Sequence, residues 1–265
     1  MLRRILRTRK RGKTLRILSN IDAYMAVYRQ ELLEEALCEA VKRNPHPANK
    51  IDGKRSEQYW LEAFSEANVD KHQACSFFRN FQLESQAVKF EYQAVADEIN
   101  IVILNKNPAQ SEVVSLSSKL KALITTKAKG QQTSAASKLL TFIKPHDEVY
   151  IWDKYANQAV RWRNRVQKGL RDYYLDPDEN HDYSAYVAAS HLAFIAERQK
   201  PEFKAAVLEF DSRTQRERGP ISDRQKIGFQ FLERRLFDKL MYLEGQAIAK
   251  IKVSRQAREK RNDSP

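Results

Sequence analysis

Glycine is scarce in this chain, with only seven in 265 residues. A β-rich or α/β protein of this length uses more of it in turns and phosphate-binding loops, so the fold class expected is all-α. Cysteine is scarcer still. Cys38 and Cys75 are too few for a disulfide framework, which points to a reducing compartment and a cytoplasmic protein. No apolar run approaches the roughly 18 residues of a membrane span, so a soluble protein without membrane contact is expected. The basic N-terminus lacks the apolar stretch and small-residue cleavage site of a secretory signal. Metal-binding patterns are missing as well. There is no C-x-x-C and no H-E-x-x-H, and His46, His72, His146, His181 and His191 are scattered. G-x-G-x-x-G, the Walker pattern and G-x-S-x-G are also missing, which removes the commonest nucleotide-binding and serine-hydrolase readings. Neither a metal nor a cofactor is expected.

What the chain does have is apolar material, 42% of its residues, enough for a real core. It also has a net charge of +13, unevenly placed. Residues 1–18 hold eight basic side chains and no acid, and residues 250–265 carry a net +4. These read as a basic arm and a basic tail on a helical body spanning 19–249. Inside the body, residues 113–171 hold twelve basic side chains against three acids, a net +9, while 19–112 and 172–249 sum to −5 and −3. Basic surface attracts polyanions through counterion release, so nucleic acid is the first partner to consider. The plain alternative is that Lys and Arg only solvate helices.

Apolar residues recur at helical spacing along the body. Ile21, Tyr24, Met25, Tyr28, Leu32, Leu33, Ala36, Leu37 and Val41 predict a first helix, with Ser19 or Asn20 as its cap and Asn44-Pro45-His46-Pro47 as its stop. Further helices are expected around Tyr59–Phe64, from Lys71, along the Val88–Ile103 stripe, and from Ser111, read as a cap, to Ile124. Gly130 is the one glycine between 54 and 168 and marks a turn. A helix from Ser134 to Ile143 follows. Pro145 forces a break before Val149-Tyr150-Ile151-Trp152-Asp153, and a helix then runs to Lys168, with Gly169 as its stop. Asp176-Pro177-Asp178 reads as a loop, and later helices are expected near 183–199, 202–213 and 222–248. The stripe Ile227, Phe231, Leu232, Leu236, Leu240 and Leu243 reads as core, and Arg234-Arg235 as surface.

The stretch Gly130-Gln131-Gln132-Thr133-Ser134-Ala135-Ala136-Ser137-Lys138, then Pro145, then Ile151-Trp152-Asp153, carries a turn, a small-residue helix, a break and a lone acid opening a new helix. Over roughly residues 120–165 it resembles the helix-hairpin-helix DNA glycosylase superfamily, and in particular its small bacterial members of the 8-oxoguanine-glycosylase-like kind. The resemblance implies a helical glycosylase-like fold with a helix-hairpin-helix element. Gly130 matches the turn glycine of that family's "G-x-x-T-A" hairpin, Thr133-Ser134-Ala135 its helix start and Asp153 its catalytic carboxylate. The hairpin's usual first glycine is Ala128 or Lys127 here. Bifunctional members carry a Schiff-base lysine near the start of the helix, where this chain reads Gln132-Thr133-Ser134. Lys138, fifteen residues before Asp153, falls one turn further along. The implied activity is therefore that of a monofunctional glycosylase. It would excise a damaged or modified base from double-stranded DNA, in repair or, for a base such as glucosylated hydroxymethylcytosine, in defence against phage. No cysteine quartet for an iron–sulfur cluster is present.

The chemistry fits these residue types. A turn whose N–H groups face a phosphate tolerates few bulky side chains, which suits Gly130. Lys127, Lys129 and Lys138 supply positive charge around it, and no acid lies between Glu112 and Asp147. Thr133 and Ser134 complete the DNA-facing turn. Arg161 and Arg165 share a helical face and are assigned to phosphate, while Arg163 sits nearly opposite. A carboxylate at Asp153 stabilises the oxocarbenium character of a sugar losing its base; the plain reading is an ordinary N-cap. Trp152 and Ile151 read as buried. Gln132, Trp152 and Tyr155 are the candidate contacts of a flipped base. The chain is read as a monomer. The competing classes are a non-catalytic helical DNA- or RNA-binding protein and a helical subunit whose tails bind an acidic partner.

Overall fold

The structure, a computed structural model, describes residues 21–43, 50–51, 54–85, 88–127, 130–167, 182–218 and 228–262. The basic arm, Ser19, Asn20, Asn44-Pro45-His46-Pro47, Lys129, Gly169, Asp176-Pro177-Asp178 and Ile227 lie outside the described residues. Among those described, the chain is all-helical apart from one short hairpin.

Helix α1 (Ile21–Lys42) ends where the Asn-Pro pattern predicts. A hairpin of two-residue strands, β1 (Lys50–Ile51) and β2 (Lys54–Arg55), pairs antiparallel and leads to α2 (Glu57–Ala63). There follow α3 (Lys71–Asn80), α4 (Tyr92–Leu104), α5 (Ala109–Ala122), α6 (Thr133–Ile143), α7 (Lys154–Gln167), α8 (Tyr183–Arg198), α9 (Pro201–Arg218) and α10 (Phe229–Asn262). No helix among the described residues is long and apolar enough to cross a membrane.

The starts of these helices are set by local chemistry. Ser56 Oγ accepts the Tyr59 amide and opens α2. Asp70 and Gln73 form a reciprocal capping box on α3, each side chain taking the other's backbone N–H. Asp182 caps α8. For α5 the cap differs from the expected Ser111. The helix begins at Ala109 behind Pro108, Asp147 Oδ2 accepts the Ala109 amide at 2.9 Å, and Ser111 Oγ donates to Pro108 O from inside the first turn. Ile124 and Val88 also leave their expected helices. Phe90 and Ile124 form an isolated antiparallel bridge that pins the connection after α5 to the chain before α4.

Helix α10 is the spine. It packs against α7, α1 and α9, and residues 231–238 are buried on every side. A helix enclosed all round is normally apolar, and the expected stripe Phe231, Leu232, Leu236, Leu240 and Leu243 is indeed core. Arg234 and Arg235, expected at the surface, are buried with it. Both are satisfied: Arg234 donates to Pro145 O at 2.6 Å, and Arg235 forks onto Glu57 at 2.6 and 2.9 Å and reaches Asp238 at 3.1 Å. Buried charges persist only when paired and hydrogen-bonded. The same helix continues without a break from the body into 250–262.

Candidate active site

The chain from Val149 to Asp153 is neither helix nor strand, yet its backbone is held at several points by side chains from other helices. Tyr183 Oη donates to Tyr150 O at 2.9 Å and Tyr186 Oη to Ile151 O at 2.8 Å. The Ile151 amide donates to Asp238 Oδ1 at 3.4 Å and the Trp152 amide to Ser137 Oγ at 3.0 Å. Irregular backbone in a core must find such partners, and here they come from α6, α8 and α10. The result is a fixed entry into α7.

Asp153 is the residue that entry delivers. Its Oδ1 accepts the Tyr155 amide at 2.8 Å, and its carbonyl accepts the first helical bond of α7, from Asn157, at 2.8 Å. Asp153 is therefore an N-cap. Its Oδ2 accepts no hydrogen bond among the described residues. Asp153 also lines a cleft of about 410 Å³ bounded by α1, α3, α6, α7 and α10, within the roughly 300–1,000 Å³ usual for small-molecule sites.

Lys138, on α6, lines the same cleft. Its Nζ donates to Ser134 Oγ at 3.2 Å. Burial pushes its pKa down; the Asp153 carboxylate opposes that shift and Arg235 adds to it. At the deep end lie Glu57, Arg235, Asp238 and Lys239. Burial lifts Asp238 to about 6 although Arg235 opposes the shift, and burial lowers Lys239 to about 8. Tyr242 of α10 is raised by burial and by the Asp153 charge.

A third edge comes from the end of α3. Asn80, Phe81 and Gln82 line the cleft. The amides of Gln82 and Leu83 close a Schellman pair onto Arg79 O at 3.2 Å and Phe78 O at 2.8 Å. That motif puts Gln82 at φ 54, the one positive-φ non-glycine among the described residues. For a residue with a Cβ this region costs on the order of 1–2 kcal/mol.

A second ionic cluster anchors α7 from the other side. Arg163 is buried, with its guanidinium on Glu244 at 2.8 and 2.5 Å and on Glu197. Glu197 also receives Arg29 at 2.6 Å and Lys200 at 2.9 Å. Burial alone would raise Glu197, but these cations, Arg163 first, bring it down to about 2. Arg163 therefore faces inward, as its helical position opposite Arg161 and Arg165 predicts.

Of the remaining sequence candidates, Gln132 is the N-cap of α6 and donates to Gly130 O at 3.0 Å. Trp152 is half-buried against the core rather than fully buried. Tyr155 packs edge-on against Tyr242, ring centres 5.7 Å apart. None of these three lines the cleft, whose walls near Asp153 are Ile151, Ala156 and Tyr242. Lys127 and Gly130 are exposed, and Thr133 is buried with its hydroxyl 3.4 Å from that of Ser117. Ser134 and Arg161 are half-buried, and the side chain of Arg165 lies outside the described ones. Part of the basic band is neutralised locally. Lys119 pairs with Glu98 at 2.7 Å and Lys144 with Glu112 at 2.6 Å. Sequence reasoning missed Glu35, Glu39, Asn80 and Gln82, which reach the cleft from helices far away in the chain.

Among the described residues no group of three or more His, Cys, Asp and Glu side chains is placed to hold a metal ion. Among known proteins, no family model, no curated protein and no solved structure matches this chain.

Proposed function

We propose that the protein is a monofunctional DNA N-glycosylase. It draws a damaged or modified base out of a DNA duplex, hydrolyses the N-glycosidic bond and leaves an abasic site. The observation that carries this reading is that Asp153 and Lys138 line one cleft of nucleoside size. The exposed Gly130 turn and the side-chain-uncapped start of α6, in the same chain segment, offer N–H groups to a phosphate.

As the bond from C1′ to the base lengthens, its electron pair leaves with the base and the sugar gains oxocarbenium character. Anionic Asp153 stabilises that charge. Its Oδ2 takes a proton from the water whose oxygen bonds to C1′. Lys138, with its proton loosened by burial, protonates the departing base, and the Asp153 proton then restores the ammonium.

The same lowered pKa favours a second reading, in which the neutral Lys138 amine attacks C1′ and forms an imine. Borohydride separates the two: the hydrolytic route yields no trapped adduct, the amine route a covalent protein–DNA species. The primary test incubates the wild type and Asp153→Asn with normal, oxidised, alkylated and phage-modified DNA and reads released bases by mass spectrometry. Release by the wild type and not by the variant supports the glycosylase. No release from any DNA, with binding intact, makes the protein a non-catalytic helical DNA- or RNA-binding module.

A further inference from the structure

Two residues at the end of α3 line the cleft. Asn80 is 7% exposed, lines the cleft, and its Oδ1 has no hydrogen-bond partner among the described residues. An acceptor left buried and unpaired is rare in a folded protein and calls for a partner. Two residues on, Gln82 occupies a left-handed position that glycine would fill without strain. The Schellman turn that ends α3 fixes it there and leaves its side chain exposed at the cleft. Phe81 between them is locked by its ring contacts with Phe77 and Phe142, 4.5 and 5.2 Å between centres, so the two amides are presented from a rigid support.

Glu35 and Glu39, one turn apart on α1, line the same cleft, with Arg43, Lys138, Arg235 and Lys239 as its cations. Asn80 Oδ1 can only accept, so an N–H donor is the partner that satisfies it.

We infer that Asn80 and Gln82 form the base-reading edge of the cleft, selecting a nucleobase that presents an exocyclic amino group. This rests on the glycosylase reading, because it takes the ligand to be an extruded base. Asn80 Oδ1 accepts from the amino group, and the Gln82 amide, able to donate and accept, takes the neighbouring ring position.

The test uses duplexes carrying one non-cleavable 2′-fluoro nucleotide, in pairs that differ by a single amino group: guanine against hypoxanthine, adenine against purine, cytosine against 2-pyrimidinone. Affinities are measured for the full-length wild type, Asn80→Leu and Gln82→Gly, with an abasic-analogue duplex as the reference for backbone binding. In at least one pair the wild type should favour the amino-bearing base by about tenfold, on the order of one buried hydrogen bond. Asn80→Leu should bring that ratio close to one, Gln82→Gly should weaken both members of a pair alike, and both should leave affinity for the abasic duplex unchanged. Asn80→Ala, a smaller cut at the same position, decides the matter if Asn80→Leu is unstable. Equal binding within every pair overturns the inference, and so does a preference that survives the Asn80 substitution. Base release by the wild type with unchanged preference in the Asn80 variants sinks the inference alone. Absence of base release sinks the catalytic reading alone if the amino preference persists.

Discussion

Gly245 lies directly beneath the carbonyl of Tyr155. A Cβ on Gly245 would stand 1.8 Å from that oxygen and 2.3 Å from its carbon. Because these atoms are backbone, no rotamer change relieves the contact. This is the point where α10 meets the first turn of α7, two residues after Asp153, so the closeness of the two helices sets where the carboxylate stands.

Gly245→Ala tests that relationship. On helix propensity alone the change would stabilise by roughly 0.5–1 kcal/mol. Overpacking of a tight contact costs about 1–3 kcal/mol, and a backbone clash belongs at the upper end. The expected outcome is a lower melting temperature together with a fall in base release larger than the loss of folded protein explains. Thermal melting alongside single-turnover base release measures both. Unchanged stability would mean that the helices separate freely.

Asp153→Asn should separate the cap from the chemistry. Asn caps helices about as well as Asp, so the Tyr155 amide keeps its acceptor and stability should change by less than about 0.5 kcal/mol. On the proposed glycosylase activity the charge that would stand beside the sugar is lost, and the rate of base release should fall on the order of 100-fold or more. DNA affinity should be retained. Asp153→Ala should lose the rate and also about 1 kcal/mol of stability. Denaturation curves and release rates on the same preparations give the comparison.

The helices were legible because their signals are local. The first apolar stripe predicts 21–41 and the helix spans Ile21–Lys42, and the Asp153 cap needs nothing beyond its neighbours. The cleft was not legible because it is assembled from distant segments. Nothing near Arg235 in sequence announces Glu57, its partner 178 positions away, so an Arg-Arg pair in a helix reads as surface. Gly245 looks like a gap in an apolar stripe until α7 is laid against it. Lys138 illustrates the middle case. Its spacing from Asp153 is plain in the sequence, but whether the two face one cavity depends on how Ser137 and Asp238 hold the intervening chain.

Gly130 was expected for a tight turn that faces a phosphate, and the turn by itself does not require it. Its φ lies outside the left-handed region, and a Cβ there would meet nothing within 4 Å. The fold itself therefore tolerates a side chain. If a phosphate approaches this turn, the missing Cβ matters only in the complex. Gly130→Ala should leave stability unchanged or raise it by about 0.4–1 kcal/mol, while duplex affinity falls several-fold. A variant that binds DNA as the wild type does would remove Gly130 from the interface.

The pH dependence of stability should carry an opposing pair of signatures. Asp238 is held at about 6, above its ordinary value, by burial. Between the unfolded and folded values the native state binds more proton than the unfolded chain, so stability falls as pH rises from about 4 through 6. At roughly 1.4 kcal/mol per unit this amounts to as much as about 3 kcal/mol. Glu197, held at about 2 by Arg163, Arg29 and Lys200 against its own burial, does the reverse. Its contribution is present above the ordinary carboxylate range and is lost as pH falls toward 2. Asp238→Asn removes the first signature and leaves the second. The difference in unfolding free energy between wild type and variant, measured by urea titration from pH 4 to 7.5, should move in the variant's favour as pH rises and level off above about 6.5. A flat difference across that range would show that Arg235 and the Ile151 amide stabilise the Asp238 carboxylate enough to cancel its burial.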